Sequence, residues 1–190
     1  MKPNFYLLFY LLYTASITKS VAQIAVTFPL KTIENKTIDI AKTIQTRKAT
    51  VFIFLMPDCP LCEYYTLPLK KLQTEYQVKN IDFYLVFAGT LFSTDEIKTY
   101  LTKYDLRFQV LLDDQKKLAN LLNAQVTPQA VLITSNFRCG YTGKIDNWIT
   151  ENRQHRTNVT HFYLADALQA VLHNKPAPIS TTQAIGCFIQ

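Results

Sequence analysis

Two cysteines separated by two residues, Cys59 and Cys62, are the side chains of this 190-residue chain whose type and spacing most directly indicate chemistry. A Cys-x-x-Cys pair can form a reversible disulfide or supply half of a zinc site. Zinc would require a second Cys or His pair at ligand spacing, and the sequence has none. A haem link would require histidine at position 63, which is Glu63. Thiol-disulfide exchange is therefore the chemistry that this pair favours.

The residues on either side of the pair predict a strand followed at once by a helix. Residues 50–55 are mainly β-branched and aromatic, a pattern typical of a strand buried on both faces of a sheet. Pro60 suits the first position of a helix, because its missing N–H would have no partner there anyway. Cys59 is then predicted at the N-cap and Cys62 in the first turn of a helix over residues 60–76.

This placement predicts different roles for the two thiols. The unpaired N–H groups and the positive end of the helix dipole lower the pKa of a thiol at the N-cap, so Cys59 is the expected nucleophile. Cys62, one turn further in, is placed to attack a mixed disulfide on Cys59 and release the partner. Asp58 opposes the effect of the helix terminus by like-charge repulsion, which leaves the sign of the net pKa shift open.

The first 22 residues predict an export signal. Lys2 gives a short positive end, residues 5–13 form an apolar core, and residues 20–22 resemble a cleavage site. The apolar run falls short of the roughly 20 residues that span a bilayer, so a membrane anchor is expected only if the segment stays uncleaved. The formal charge of +6 is spread without a Lys/Arg block, which does not favour nucleic-acid binding. We expect an exported protein, periplasmic or secreted.

A buried strand, Cys59-Pro60-Leu61-Cys62 opening a helix, and a later Thr127-Pro128 ahead of another strand together resemble the active site of the thioredoxin-like superfamily. With an export signal in front, the chain resembles most the TlpA/ResA-type and redoxin-domain (AhpC/TSA-like) thiol-disulfide oxidoreductases. The resemblance covers residues 24–173. It implies thiol-disulfide exchange with cysteine-containing exported proteins and with a redox partner protein, and it implies no cofactor and no metal.

The resemblance also implies the fold class. We expect an α/β, thioredoxin-like domain over residues 23–174, with a central mixed sheet flanked by helices, an N-terminal extension and an inserted βα unit. The inserted unit corresponds to a strand at residues 81–88 and a helix opened by a capping box, Ser93 to Glu96. The extension is expected to contribute strands at residues 24–28 and 37–40. Residues 175–190 are then a C-terminal tail.

The Thr127-Pro128 segment has a specific role in the family that the chain resembles. The resemblance implies a cis peptide bond there, which is rare otherwise, and a Thr127 backbone lying beside Cys59 where it can pair with an extended substrate. A proline that leads into a central strand fits this arrangement, since it cannot donate to the ladder. Pro60, Leu61 and Asp58 are expected to support the site.

Three positions depart from the pattern of the family. Pro57-Asp58 stands where thioredoxins carry a tryptophan, Ile53 where they carry a buried acid, and Tyr65 where ResA-type proteins carry a glutamate. The resemblance therefore supports the exchange chemistry but does not supply a proton relay.

Cys139 and Cys187 remain outside the pair. Four cysteines in an exported chain permit disulfides, and a Cys139–Cys187 bridge would close a loop of about 48 residues and stabilise the tail. Two alternatives stay open for Cys187: a free thiol exposed for an intermolecular bond, or electron exchange with the Cys59–Cys62 pair.

Three other functions compete with thiol-disulfide exchange. A peroxiredoxin-like peroxidase would need threonine three residues before the reactive cysteine, where Met56 stands. A Sco-like copper-binding protein would need a spacing of three residues between its cysteines, and here it is two. A thioredoxin-fold interaction module would keep Cys59–Cys62 as a purely structural bridge.

Overall fold

The computed structural model describes residue 24 and residues 28–190, so the predicted export signal lies outside the described residues. The strands of this part of the chain are β1 (Leu30–Thr32), β2 (Thr37–Ile38), β3 (Ala49–Phe54), β4 (Ile81–Ala88), β5 (Gln109–Asp113), β6 (Val126–Thr127), β7 (Gln129–Thr134), β8 (Cys139–Gly143) and β9 (Cys187–Phe188). The α-helices are α1 (Ile40–Thr46), α2 (Pro60–Tyr76), α3 (Thr94–Lys103), α4 (Lys117–Leu121) and α5 (Tyr163–Leu172), and a short 3-10 helix at Gln77–Lys79 follows α2.

The described strands form one large mixed sheet and one small sheet. The large sheet has the order β2-β1-β5-β4-β3-β7-β8, with β3, β4 and β5 parallel and the outer pairs antiparallel. The small sheet consists of β6 and β9, which are antiparallel. The mixed sheet with its flanking helices confirms the predicted fold class.

Strand β3 is central because its side chains supply both faces of the sheet. All six of its residues are buried. Val51 and Ile53 belong to the apolar core that includes residues of α2, α3 and α5, whereas Phe52 and Phe54 belong to the core that includes residues of α1 and α4. The period-2 alternation of a strand thus divides one apolar run between two cores, and it holds the loop before α2 in a fixed place.

The local predictions around the active-site turn are confirmed. Helix α2 spans Pro60–Tyr76 with Cys59 at its N-cap, and α3 begins with a capping box in which Ser93 and Glu96 bond to each other's backbone. The strand predicted for residues 81–88 is β4. No helix of the described residues has the length and apolar character needed to cross a bilayer.

The N-terminal extension differs from the prediction at one point. Residues 25–27 of the predicted first strand lie outside the described residues, and β1 pairs with β2 as a short hairpin. The strand predicted over residues 37–40 ends at Ile38, because the Asp39 side chain accepts a hydrogen bond from the Lys42 N–H and caps α1. Ile40 and Ile44, four residues apart, are both fully buried, so tertiary packing favours a helix.

Candidate active site

The first cysteine of the pair lies where the chain turns from β3 into α2. Cys59 has extended backbone angles and occupies the N-cap, with Pro60 as the first residue of the helix. The Cys59 N–H donates to the Met56 carbonyl over 3.2 Å, which closes the turn after the strand. Cys59 and Cys62 are both buried, and both belong to the core that contains α2.

The segment that carries Pro128 lies against this turn. The Thr127–Pro128 peptide bond is cis. When protonated, the Cys59 thiol donates to the Thr127 carbonyl oxygen, which lies 3.3 Å from its Sγ atom. The structure therefore brings together the four residues that sequence analysis singled out as catalytic.

The two thiols of the pair have opposite proton affinities. Hydrogen bonding from the Cys62 side chain is the largest cause that lowers the pKa of Cys59 to about 5; burial opposes this effect, and a further hydrogen bond from Cys187 adds to it. Burial, followed by the interaction with Cys59, raises the pKa of Cys62 well above the ordinary thiol value. Cys59 therefore carries the thiolate and Cys62 keeps its proton.

The shift of the Cys59 pKa has more causes than the one predicted. The side-chain hydrogen bonds of Cys62 and Cys187 lower it most, and backbone hydrogen bonds, including one from Cys62 in the first turn of α2, lower it further. The start of the helix thus acts in the predicted direction. The charge of Asp58 contributes to raising the pKa of Cys187. Asp58 and Pro60 are exposed and Leu61 is half-buried, so these three residues form the accessible rim of the turn.

The two remaining cysteines are not brought together. All four cysteines of the chain lie within the described residues and are free thiols, so the Cys139–Cys187 bridge is absent from the structure. The tail carries Cys187 to the active site, where its Sγ atom is 2.7 Å from that of Cys59. Cys139 starts β8 at the edge of the large sheet, and its Sγ atom contacts the Tyr141 carbonyl oxygen over 3.5 Å.

Sequence analysis missed a buried carboxyl group beside α2. The hydroxyl of Tyr65 donates to Asp146 over 2.6 Å, and the Trp148 N–H donates to the same oxygen over 2.8 Å. Burial raises the pKa of Asp146, while the bond from Tyr65 lowers it. Tyr65 lies one turn after Cys62 in α2, so Asp146 is held against the helix that carries the thiol pair. The role of Asp146 becomes visible only through its contact with Tyr65, 81 residues away in the chain, because no local sequence pattern marks Asp146.

A second missed group comes from the inserted unit. Tyr100 of α3 is buried in the same core as Cys59 and Cys62, and its hydroxyl has no hydrogen-bond partner among the described residues. Burial is the main cause that raises the Tyr100 pKa, and the charges of Cys62 and Cys59 contribute. The inserted helix thus directs a neutral phenol towards the thiol pair.

No group of three or more His, Cys, Asp or Glu side chains in residues 24 and 28–190 is arranged to hold a metal ion.

Solved structures show the same fold. The chain is similar to an uncharacterized conserved protein from Geobacillus kaustophilus, with 21% identity and a TM-score of 0.75 over 90% of this chain and 93% of that one. It is similar to a hypothetical protein from Sinorhizobium meliloti 1021, with 22% identity and a TM-score of 0.76 over 90% and 93% of the two chains. A secreted disulfide oxidoreductase from Mycobacterium tuberculosis, homologous to E. coli DsbE, shares 17% identity and a TM-score of 0.57 over 75% of this chain and 95% of that one.

A search of curated proteins finds no match. The sequence itself matches the AhpC/TSA family over residues 21–147, a range that includes the strand β3, the Cys-x-x-Cys turn and the cis-proline segment. Since this match spans more than half of the chain and agrees with the thioredoxin-like fold, the chain belongs to the AhpC/TSA family.

Proposed function

We propose that the protein is a thiol-disulfide oxidoreductase that acts on exported proteins through the Cys59–Cys62 dithiol. The observation that carries the proposal is the Cys59 thiol at the start of α2, with its pKa lowered to about 5, beside Cys62 and the Thr127 carbonyl. Cys59 attacks a substrate disulfide or, when oxidised, is attacked by a substrate thiolate. When a substrate is reduced, Cys62 then attacks the mixed disulfide at Cys59 and releases the substrate thiol. When a substrate is oxidised, its second thiol breaks the mixed disulfide and expels Cys59.

The division of roles follows from burial and acidity. A thiolate at pH 7 attacks without first losing a proton, and it is also the better leaving group when the mixed disulfide breaks. Cys62 is fully buried and protonated, so it acts only after Cys59 has formed a bond with the partner. In that step Cys62 loses its proton as it attacks Cys59, and the substrate thiolate that leaves takes up a proton, so the exchange balances without a further acid.

The proposed function also includes export of the protein. Residues 1–22 are the proposed signal peptide, residues 23–174 the thioredoxin-like domain, and residues 175–190 a tail. The proposed partners are cysteine-containing protein substrates and a redox partner protein in the periplasm or outside the cell. The Mycobacterium tuberculosis relative is described as secreted, which agrees with this location.

A peroxidase is the competing enzyme for a member of this family. Met56, where the threonine of a peroxidatic site would stand, does not offer a hydroxyl to a peroxide. This observation favours thiol-disulfide exchange over reaction with a peroxide.

The test compares single cysteine variants of the mature protein. Wild type should accelerate the reduction of insulin disulfides by dithiothreitol, Cys59→Ser should abolish the acceleration, and the matched variant Cys139→Ser should retain it. Turnover of hydrogen peroxide without insulin reduction would identify a peroxidase instead. Tight copper binding by the purified protein without turnover would favour a copper-binding protein, and absence of all three would leave an interaction module.

The roles of the two cysteines are tested by capture of glutathione from glutathione disulfide. Both variants also carry Cys139→Ser and Cys187→Ser, so that no third thiol competes. Cys62→Ser should keep glutathione on Cys59, whereas Cys59→Ser should acquire little on the buried Cys62, as read by mass spectrometry. Equal capture by the two variants would reject the assignment.

A further inference from the structure

The C-terminal tail folds back over the active site in two steps. Its first half extends the edge of the large sheet, where Thr142 donates to the Ser180 carbonyl and accepts from the Thr182 N–H, both over 3.0 Å. The Thr182 hydroxyl oxygen also accepts from the Lys144 N–H over 2.8 Å. These bonds direct the second half of the tail towards Thr127.

The second half pairs with the segment that precedes Pro128. Strand β9 is antiparallel to β6, with Cys187 opposite Thr127 and Phe188 opposite Val126. The Ile189 N–H donates to the Gln125 carbonyl over 3.0 Å, which continues the ladder. Addition of an extended segment to an exposed strand edge is a common mode of peptide recognition. The tail therefore occupies the place where an extended substrate was expected to pair with Thr127.

The residue before Cys187 fits this place because it lacks a side chain. A Cβ atom on Gly186 would overlap the carbonyl oxygen of Thr127. Only glycine allows the tail backbone to approach this closely. The close approach sets Cys187 directly beside Cys59, with the two sulfur atoms 2.7 Å apart.

The tail holds this position with little apolar burial of its own. Phe188 is 70% exposed, whereas Cys59 beneath the tail is 1% exposed. Ile189 borders an apolar pocket that Leu55, Met56 and Phe87 also line, and it packs against the core that contains α1. The tail thus covers the nucleophile, but few of its side chains would have to leave the core for it to open.

We propose that Cys187 is a third redox-active cysteine and that the tail is a tethered substrate of Cys59. This inference rests on the proposed exchange chemistry of the Cys59–Cys62 pair. In the oxidised protein the Cys187 thiolate attacks the Cys59 sulfur, forms a Cys59–Cys187 disulfide and expels Cys62, which takes up the proton that Cys187 lost. One disulfide and one thiol are present before and after the step, so no oxidant is needed.

The tail disulfide offers a protein partner a more accessible sulfur than the covered Cys59–Cys62 pair does. A thiolate of a substrate dithiol attacks the half-buried Cys187 sulfur and expels the Cys59 thiolate, and the second substrate thiol then releases Cys187. The net result is an oxidised substrate disulfide and a reduced Cys59–Cys62 pair. The reverse sequence reduces a substrate.

Leaving-group acidity directs the attack to Cys187. The pKa of Cys59 is lowered to about 5, whereas burial and the interaction with Cys59 raise the pKa of Cys187 to about 12. Because the thiolate of lower pKa leaves faster, an incoming thiolate cleaves the Cys59–Cys187 bond at Cys187. Exposure favours the same sulfur, since Cys187 is half-buried and Cys59 is covered.

The test uses Cys62→Ser, in which Cys59 has no partner within the pair. Glutathione disulfide oxidises either Cys59 or Cys187, and the other thiol then displaces glutathione, so the product should be a Cys59–Cys187 disulfide in most molecules. Peptide mapping under non-reducing conditions detects it. The matched control Cys62→Ser/Cys139→Ser should give the same cross-linked peptide. Cys62→Ser/Cys187→Ser should retain glutathione on Cys59 instead.

A second variant separates docking of the tail from its chemistry. Gly186→Val keeps every sulfur but introduces a side chain where Thr127 leaves no room. In the Cys62→Ser background it should lower the yield of the cross-linked peptide several-fold and increase alkylation of reduced Cys59 by iodoacetamide. An unchanged yield and unchanged alkylation would show that tail docking does not govern the exchange.

The outcomes for the two proposals are distinct. Retention of glutathione on Cys59 in Cys62→Ser, with Cys187 still free to be alkylated, overturns the role of the tail and leaves the proposed function intact. Failure of Cys59 to accept glutathione even in Cys62→Ser/Cys187→Ser overturns both.

Discussion

The two sheets of this protein are held together in different ways. In the large sheet, the central strand β3 is buried along its whole length and contributes to two apolar cores. In the small sheet, β9 is held to β6 chiefly by backbone hydrogen bonds and by the contact between Cys187 and Cys59, while Phe188 faces solvent. Burial of apolar surface stabilises the first sheet, and the second can open at much lower cost.

The different stability of the two sheets matters for Cys59 and Cys187, which meet where the small sheet lies against the start of α2. The large sheet fixes Cys59 at the start of α2, and the small sheet covers it with the tail segment that we propose to be displaced by a partner. A site that must be rigid for chemistry and accessible for large partners can be built from these two parts.

The largest expected effect concerns the core of the large sheet. Phe52→Ala removes a fully buried ring that stacks on Tyr84 with centroids 5.9 Å apart, so the free energy of unfolding should fall by about 3–5 kcal/mol. Phe188→Ala in β9 is the matched control and should change it by about 0.5 kcal/mol or less, since that ring is mostly exposed. Denaturant unfolding measures both. Equal losses would contradict the contrast between the two sheets.

The next effect concerns the different pKa values of Cys59, at the start of α2, and Cys139, at the edge of the large sheet. Because the Cys59 pKa is lowered to about 5, its thiolate is present above that pH and is lost as the pH falls through it. Cys139 at the edge of the large sheet is exposed as a residue, but desolvation of its sulfur raises the pKa of Cys139, so its thiolate should form at a higher pH than that of Cys59. The pH dependence of iodoacetamide labelling at each cysteine of the reduced protein gives both midpoints.

The cause of the Cys59 shift can be tested with the same measurement. Cys62→Ala should move the Cys59 midpoint to higher pH more than Cys187→Ala does, since the hydrogen bond from Cys62 lowers the pKa most. A midpoint that stays in place in both variants would point to the helix terminus as the cause.

The smallest expected effect concerns the anchor of the tail. Thr182→Ala removes the bonds of its hydroxyl to the Lys144 N–H and to the Tyr141 hydroxyl, so the free energy of unfolding should fall by about 1 kcal/mol. Amide hydrogen exchange should accelerate at residues 180–189 and remain unchanged in β3. Acceleration throughout the large sheet would show that the tail is part of the global folding unit.

The sequence by itself determined those helices and strands whose formation depends on residues close together in the chain. The apolar run of β3, the proline after Cys59 and the Ser93–Glu96 capping box each act within one turn or one strand, so α2, α3 and the thiol pair could be predicted. The resemblance to the thioredoxin-like superfamily added the order of the elements and the role of Thr127-Pro128. Helix α1 was missed because its burial depends on a core built from distant strands.

Only the tertiary structure decided how the remaining thiols and acids meet. Four cysteines allow three pairings, and the sequence favoured Cys59–Cys62 with a possible Cys139–Cys187 bridge, whereas the structure brings Cys187 to Cys59. Cys187 reaches Cys59 across 128 residues because the unpaired edge of β6 accepts the backbone of β9 and because Gly186 permits close contact. Asp146 likewise reaches Tyr65 across 81 residues through the packing of the chain after β8 against α2. Contacts of this range depend on strand edges and shared cores, which exist only once the sheet has formed.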